Sequence, residues 1–600
     1  MRMRVADYIA NALAEFGIHE VFMVTGGGAM HLDDAFGHSN KLHCTYNHHE
    51  QACAMAAEAY ARVSNKIAAV CVTTGPGATN AMTGCLCGWM GSIPMLIISG
   101  QARYDTTVYA SGLDLRTRGI QEFDIIEAVR SMTKYCSIVK SVGEIRYKLE
   151  KALYLATHGR PGPCWLDIPL NIQGGVTDDA NLKGYIPPQE VIPNLKSTAQ
   201  CILQHIRSAQ RPILFAGNGI RLAGAHEMFL KLVEMLNIPV VTGMSSVDAI
   251  SSNHPLFAGR SGMTGERAGN FAVQNCDLLI SLGSRLSFAQ TGFDTANWAR
   301  GAYKILNDID QEELKKKELC GDLTVCCDVK ALIQALLGEQ EKPLEAKRNW
   351  INQCAQWRRE YPVVLPKHYK DTKPNIYVFF QELTKRLSKK HLLIVSVGTS
   401  RVAGGQASII KEGMRFITNP STASMGYDLP AAIGAAVAAK ERPIVLVTGD
   451  GSLQMNIQEL QTIIHHRYPI SIFVINNLGY QSIRMTQRNY FSENLIGVGA
   501  DSGDLSFPDL RKIADAYGFL FQRCSESKGL EKIIEWGLSQ KEPNISEILV
   551  SINQTIEPKV TSRKGPNGEM FSSVLEDMAP FLERGELEKN MYIPLADTKR

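Results

Sequence analysis

The sequence predicts an α/β protein of three doubly wound parallel-sheet domains in series. Three observations predict it. The chain has 600 residues, more than one hydrophobic core accommodates. It carries short, almost continuously apolar runs, many ending in Gly or Pro, and these alternate with longer stretches of helical character. Strands covered by helices on both faces need such unbroken runs, and their loops begin at the carboxyl ends.

Residues 1–175 form the first unit, with strand runs "VFMVTGGG", "IAAVCVTTGPG", "IPMLIISGQ" and "GPCWLDIP". The turn-rich "DDANLKGYIPPQEVIPN" reads as a linker. Residues 190–340 follow through "RPILFAGNG", "IPVVTG", "DLLISLGSRLSF" and "YKILNDIDQEEL", closed by the charged "GEQEKPLEAKRNW". Residues 370–556 repeat the pattern with "HLLIVSVGTS", "RPIVLVTGDGS", "ISIFVINN" and "EILVSINQ". The tail, 557–600, is punctuated by Pro and Gly and is expected to pack on the outside.

Lys+Arg 63 against Asp+Glu 60 leaves a formal charge of +3, which gives no footprint for nucleic acid or an anionic membrane. Small molecules are the expected partners. The opening "MRMRVADYIANALAEFG" reads as an amphipathic helix without the apolar core of a secretory signal, and no apolar run reaches a bilayer-spanning length. The 14 Cys show no paired CxxC spacing, so neither a zinc site nor a disulfide framework is expected, and a reducing cytoplasm fits.

Chemistry enters at "VTGDGSLQMNIQEL". Asp450 follows a buried strand and precedes a helix, so its carboxylate projects at the carboxyl edge of a parallel sheet, where ligands bind. Gly449 and Gly451 permit a tight turn, and the N–H groups near Gly451 and Ser452 carry the positive end of a helix dipole. That environment suits a phosphate, which a bare carboxylate would repel. The conflict disappears if Asp450 holds Mg²⁺, with Asn477 at the end of the next apolar run supplying an amide oxygen and Gly479 a backbone carbonyl. Alone, GDG is a turn and NN a strand end; the pair, 27 residues apart with a helix between, points to a shared ion.

This pair resembles the motif of the thiamine diphosphate-dependent enzymes, GDG followed after about thirty residues by NN. The resemblance implies a carboxylate at the cofactor's pyrimidine, and "NHHEQACAMAAEAYAR" provides Glu50, the counterpart of the glutamate that bonds N1′ and promotes removal of the C2 proton. A helix-capping role is the plainer reading of a lone glutamate there; the flanking His-Glu-Gln favours the cofactor. By the same resemblance Met425 props the two cofactor rings, the Ala423 carbonyl faces the 4′-amino group, and Thr399 and Ser400 meet the diphosphate. The resemblance also implies cofactor contacts at Gly27, Gly28, Thr74 and Gly75.

Within that family the chain is similar to acetolactate synthase (acetohydroxyacid synthase) catalytic subunits and their relatives, through "TTGPGATNAMTG", "RPGPCWLDIPLNIQ" and "GIQEFDIIEAVRSMTKY". Gln121 matches an active-site glutamine able to bond a developing oxyanion. The middle segment resembles the group's flavin domain, which implies FAD at Gly217, Gly219, Met263, Thr264, Gly283, Arg285, Asp308 and Asp328. The implied reaction is decarboxylation of a 2-oxo acid, with pyruvate expected, and transfer of the hydroxyethyl carbanion to a carbonyl acceptor. The family arrangement implies a homodimer or homotetramer, with Glu50 and Asp450 of one site coming from different chains.

Four departures set the chain apart from that group, and those at the pocket bear on the acceptor. Ile120 replaces the Phe before the glutamine, "NNLGYQSIRMTQRNYF" lacks a Trp, Thr399-Ser400 stands for Gln-His, and "LKGYIPPQ" lacks an arginine expected at the flavin. Other readings are another thiamine lyase or decarboxylase, a C–C hydrolase, a flavin-dependent oxidase, acyl transfer to a keto-sugar, and a non-catalytic regulatory paralogue.

Overall fold

A computed structural model describes residues 2–189, 193–491, 494–564, 568 and 570–596. It contains three six-stranded parallel sheets in chain order, as the apolar runs require. The first unit comprises β1 (Arg2–Arg4), β2 (Glu20–Met23), β3 (His43–Tyr46), β4 (Ala68–Val72), β5 (Met95–Gln101), β6 (Tyr135–Ile138), β7 (Pro163–Pro169) and β8 (Val176–Asp178). Its sheet runs β3-β2-β4-β5-β7-β6, while β1 pairs antiparallel with β8 and fastens the start of the unit to its end.

The middle sheet uses β9 (Pro212–Ala216), β10 (Val240–Thr242), β11 (Phe257–Arg260), β12 (Leu278–Leu282), β13 (Tyr303–Asp308) and β14 (Leu323–Cys326), in the order β11-β10-β9-β12-β13-β14. The third uses β15 (Leu392–Val395), β16 (Arg415–Ile417), β17 (Ile444–Gly449), β18 (Ile470–Asn476), β19 (Leu520–Cys524) and β20 (Asn544–Leu549), in the order β16-β15-β17-β18-β20-β19. Every residue of β4, β9, β12 and β18 is buried, which is why these strands carry no alternating polar face. The first and third orders turn back near one edge, where β7 lies inside β6 and β20 inside β19, and all three switch direction between β2 and β4, β9 and β12, and β15 and β17. There successive connections leave the sheet on opposite sides and a crevice opens at the carboxyl ends.

Among the buried contacts that join the units, two centre on enclosed carboxylates. The helix Glu50–Ser64 of the first packs on Asp428–Ala438 of the third, so closely that a Cβ on Gly434 would stand 2.0 Å from the Ala56 carbonyl oxygen. In that contact the fully buried Glu58 carboxylate accepts from Arg62 at 2.5 Å, from the Tyr427 hydroxyl at 2.5 Å and from Asn419 at 3.3 Å. The second contact is Asp248, which accepts from Arg221 of its own unit at 3.1 Å, and from Arg415 at 2.7 Å and the Phe416 amide at 3.1 Å of the third. Arg415 also reaches the Arg62 carbonyl of the first unit.

The linker reading covers residues 178–194, of which 190–192 lie outside the described residues. The tail does more than cover the surface. Leu575 and Met578 are buried in the middle unit's core, Asn270 donates to the Leu575 carbonyl, and Gln274 donates to the buried Glu576 carboxylate at 2.6 Å. Its polar, turn-rich composition conceals these few anchors, and tail residues 565–567, 569 and 597–600 lie outside the described residues. Among the described residues no helix is long and apolar enough to cross a membrane, and all 14 Cys are free.

Burial opposes ionisation of Asp248, but Arg221 and Arg415 outweigh it and hold the carboxyl down at about 2. Its unfolded value is about 3.9. The ion pairs therefore contribute fully above about pH 4 and fade as the pH falls toward 2, for a loss of about 2 kcal/mol. Urea melts between pH 5 and 2.5 should show this slope in the native chain and a flatter one in Asp248→Asn. That variant should also be less stable at neutral pH, by about 3 kcal/mol, because two guanidiniums lose their buried partner.

Candidate functional site

β17 and β18 are hydrogen-bonded parallel neighbours, with Gly449 opposite Ile475. Asp450 and Asn477 therefore leave the same sheet edge side by side. Asp450 is buried, its Oδ1 accepting from the Gly451 amide at 3.0 Å and its Oδ2 from the Gly479 amide at 2.8 Å. Burial pushes this carboxyl up to about 7 against the pull of those two amides, so a cation beside it would restore the charged form. Asn477 is also buried, and its Oδ1 has no hydrogen-bond partner. A buried amide oxygen without a donor is rare and is what a hard oxygen-seeking cation requires. Among the described residues no cluster of three His, Cys, Asp or Glu could hold a metal, so any ion here would rest on this carboxylate, this amide and backbone or ligand oxygens.

Gly479 has φ +140°, and a Cβ there would lie 1.9 Å from the Val498 carbonyl oxygen, so only glycine fits. Across the switch point, Gly398 (φ +67°) caps the helix Thr399–Ala407 that follows β15, placing Thr399 and the buried Ser400 in its first turn. Gly398 also lies against Ser482, at the start of the helix Gln481–Tyr490. Three helix N-termini thus converge at one sheet edge, a setting for a diphosphate. Met425 is tied in from the side: the Gly426 amide donates to Ser452 Oγ at 2.9 Å, Ser452 donates to Asp428 at 2.6 Å, and Met425 Cε lies 3.4 Å from where a Cβ on Gly451 would be. Ala423, with φ +53°, is exposed beside them.

The first sheet gathers the other residues at its own switch point. Glu50 opens its helix behind His49, which caps it by accepting from the Gln51 amide. Glu50 is half-buried; Asn80 donates to its Oε2 at 3.0 Å, and its Oε1 faces Gly77. The Gly28 amide donates to Thr73 Oγ1, and Gly27 lies in the same short turn. Thr74 bonds Gln101 at 2.8 Å and the Gln121 carbonyl at 3.3 Å; a Cβ on Gly75 would meet that carbonyl at 2.5 Å. Gln121 takes φ +57° with its side chain exposed, and neighbouring Ile120 is 87% exposed.

In the middle sheet a cavity of about 620 Å³ runs along the carboxyl edge. Of the eight residues expected at a flavin, all but Gly217 line it; Gly217 instead packs under the loop, where a Cβ would meet the Gly283 carbonyl at 2.2 Å. The volume lies within the range of small-ligand sites. Burial raises the Asp308 carboxyl above its usual range, while Asp328 caps the helix Val329–Gly338 through the Lys330 amide. Arg160, from the first unit, enters the cavity paired to Asp310 at 2.9 Å and Glu313 at 2.8 Å. It supplies an arginine where "LKGYIPPQ" offers none.

Sequence reading passed over Arg484, Asn80, Arg160 and Arg401. Asn80 and Arg160 lie in quoted motifs, and their spacing from Gly77 and "RPGP" was the available signal. Arg484 sits in a polar helix that reads as surface, yet it is fully buried. It donates to the carbonyls of Asn477 at 3.3 Å and Leu478 at 3.0 Å, to Gln481 at 2.6 Å, and by two bonds of 2.8 Å to Asp501.

Three stretches match domain families: the N-terminal TPP binding domain of thiamine pyrophosphate enzymes over residues 3–128, their central domain over 199–336 and their C-terminal TPP binding domain over 396–548. Curated relatives match nearly end to end. The acetolactate synthase isozyme 3 large subunit of Escherichia coli (strain K12) is 30% identical over 588 residues, 95% of this chain and 99% of that protein. The acetolactate synthase large subunit of Cyanidium caldarium is 29% identical over 577 residues, 94% and 96% of the two chains. Acetolactate synthase 2, chloroplastic, of Zea mays is 30% identical over 587 residues, 95% and 88%.

Arg484→Met should free the loop that Arg484 clamps. Amides of residues 478–484 and 497–502 should lose hydrogen-exchange protection by an amount equivalent to about 3 kcal/mol, while those of β17 and β18 keep theirs. Unchanged protection in both segments would refute the clamp.

Proposed function

The chain belongs to the thiamine pyrophosphate enzymes, in the group of the acetolactate synthase large subunits, and from that premise we propose the roles of its residues in a pyruvate-decarboxylating carboligase. It is a thiamine diphosphate-dependent enzyme that decarboxylates pyruvate and joins the remaining two-carbon unit to a carbonyl acceptor. End-to-end similarity to synthases favours this over the hydrolase, oxidase and regulatory readings. The observation that carries the cofactor reading is the buried, unpartnered Asn477 Oδ1 beside Asp450, at the ends of adjacent parallel strands.

Asp450, Asn477 and the Gly479 carbonyl would hold Mg²⁺, and Thr399, Ser400 and the turn of Gly449, Gly451 and Ser452 the diphosphate. When bound, thiamine diphosphate supplies the nucleophilic carbon that attacks the 2-oxo acid and the electron sink that lets CO₂ leave. Glu50 would hold a proton at the pyrimidine N1′, with Asn80 fixing the carboxylate's second oxygen. Met425 would prop the rings, the Ala423 carbonyl would face the 4′-amino group, and Gln121 would bond the developing oxyanion. Gly27, Gly28, Thr74 and Gly75 would be further contacts for the cofactor. FAD would occupy the middle cavity, with Gly219 and Gly283 letting the diphosphate approach the backbone and Asp308 and Asp328 placed toward ribose hydroxyls.

Acetolactate, from pyruvate as acceptor, is the expected product, with Ile120 altering the acceptor side. A homodimer or larger assembly is supported by apolar side chains left exposed around both half-sites: Ile120 in the first unit, and Leu478, Ile483 and Phe491 in the third. A cytoplasmic location is part of the same reading, consistent with 14 unpaired thiols.

Purified protein supplied with thiamine diphosphate, Mg²⁺ and pyruvate should release CO₂ and form acetolactate in parallel. No pyruvate consumption would overturn the donor assignment, and acetaldehyde without acetolactate would overturn carboligation. Glu50→Gln should lower kcat by about 10²- to 10⁴-fold with little change in cofactor affinity. Asp450→Asn should weaken Mg²⁺ binding at least about tenfold by calorimetry, a loss near 1.4 kcal/mol.

A further inference from the structure

The cavity of the middle unit contains four guanidinium groups with very different partners. Arg62 is held by Glu58, and Arg160 by Asp310 and Glu313. Arg285 and Arg401 have no acid on them among the described residues. Arg401 goes further, because its buried Nε has no hydrogen-bond partner. Burial alone, with no nearby acid, depresses its pKa. A guanidinium withdrawn from water without a counter-charge is costly, so the cavity is built for a ligand with negative character at that point.

The fold fixes where that point is. The sheet order places Met263, after β11, and Met244, after β10, at one end of the edge, with Asp308, closing β13, and Asp328, after β14, at the other. Five inter-strand steps separate β11 from β14, about 24 Å in all. The helix Thr399–Ala407 lies over the methionine end, since a Cβ on its Gly405 would stand 2.1 Å from Met244 Cε. Arg401 is one turn before Gly405 on the same helix face, so its charge enters at the methionine end.

A long ligand fits these constraints in one direction. Carboxylates suit ribose hydroxyls, backbone at Gly219 and Gly283 suits a diphosphate, and the methionines suit a flat ring system. On the flavin reading above, the ring that meets Arg401 is the isoalloxazine, whose N1–C2 carbonyl edge becomes negative when it accepts electrons. We propose that Arg401 is the electrostatic partner of that edge, stabilising the reduced flavin and raising its reduction potential. Thr399 and Ser400, on the preceding residues of the same turn, serve the diphosphate site, so one helical turn addresses both cofactors.

The test is the midpoint potential of the bound flavin, measured by dye equilibration in the purified holoenzyme and in Arg401→Gln and Arg401→Lys. Loss of the charge should weaken the reduced form at least about tenfold relative to the oxidised form, a fall of about 30 mV for a two-electron couple. Arg401→Lys should recover most of it. An unchanged potential in Arg401→Gln, with flavin content unchanged, overturns the proposal and leaves the flavin reading standing. Protein that shows no flavin absorbance as purified, and takes up none when FAD is added, overturns both.

Discussion

A doubly wound parallel sheet has a place near its middle where consecutive connections part to opposite faces, and this chain sets its chemistry there three times. Between β2 and β4 the edge offers Gly28, Thr73 and the approach to Glu50; between β9 and β12, Gly217, Gly219 and Gly283; between β15 and β17, Gly398, Ser400 and Asp450. A crevice at the carboxyl ends exposes backbone N–H groups and helix N-termini that the sheet cannot satisfy. Each of the three crevices therefore favours an anionic ligand before any particular side chain is considered. What differs is the side chain added: a glutamate in the first, carboxylates at a distance in the second, a carboxylate with an amide in the third.

How much of this was legible follows from range. The four inner strands of each sheet were legible because full burial forbids polar interruptions, so apolar runs marked them; the edge strands β3, β6, β11, β14, β16 and β19 were not marked. Asp450 and Asn477 were legible because each lies one residue past such a run, and the pairing of β17 with β18 does the rest. Arg484 was not, because its burial depends on Asp501 and on two carbonyls of a loop whose course no local pattern fixes. The tail was misjudged for the same reason. Leu575 and Met578 bury against residues some 300 positions earlier, and a few apolar anchors in a Pro- and Gly-rich stretch leave no periodic trace.

The contacts between units are polar at their centres and apolar around them. Glu58 and Asp248 are both fully enclosed carboxylates, each met by several donors drawn from more than one sheet. Such groups contribute little net stability compared with an apolar core, but they tolerate only one arrangement of their partners. Orientation between the sheets thus rests on a few directional bonds, and through Arg415 and Arg62 the two clusters are joined to each other.

The passage of Gly434 over Ala56 has a consequence for how such chains can be recombined. With no side chain between them, the two helices touch backbone to backbone, and the separation of the first and third sheets is set by atoms that cannot adopt another rotamer. A chimera taking its first unit from one relative and its third from another would succeed or fail first at this contact.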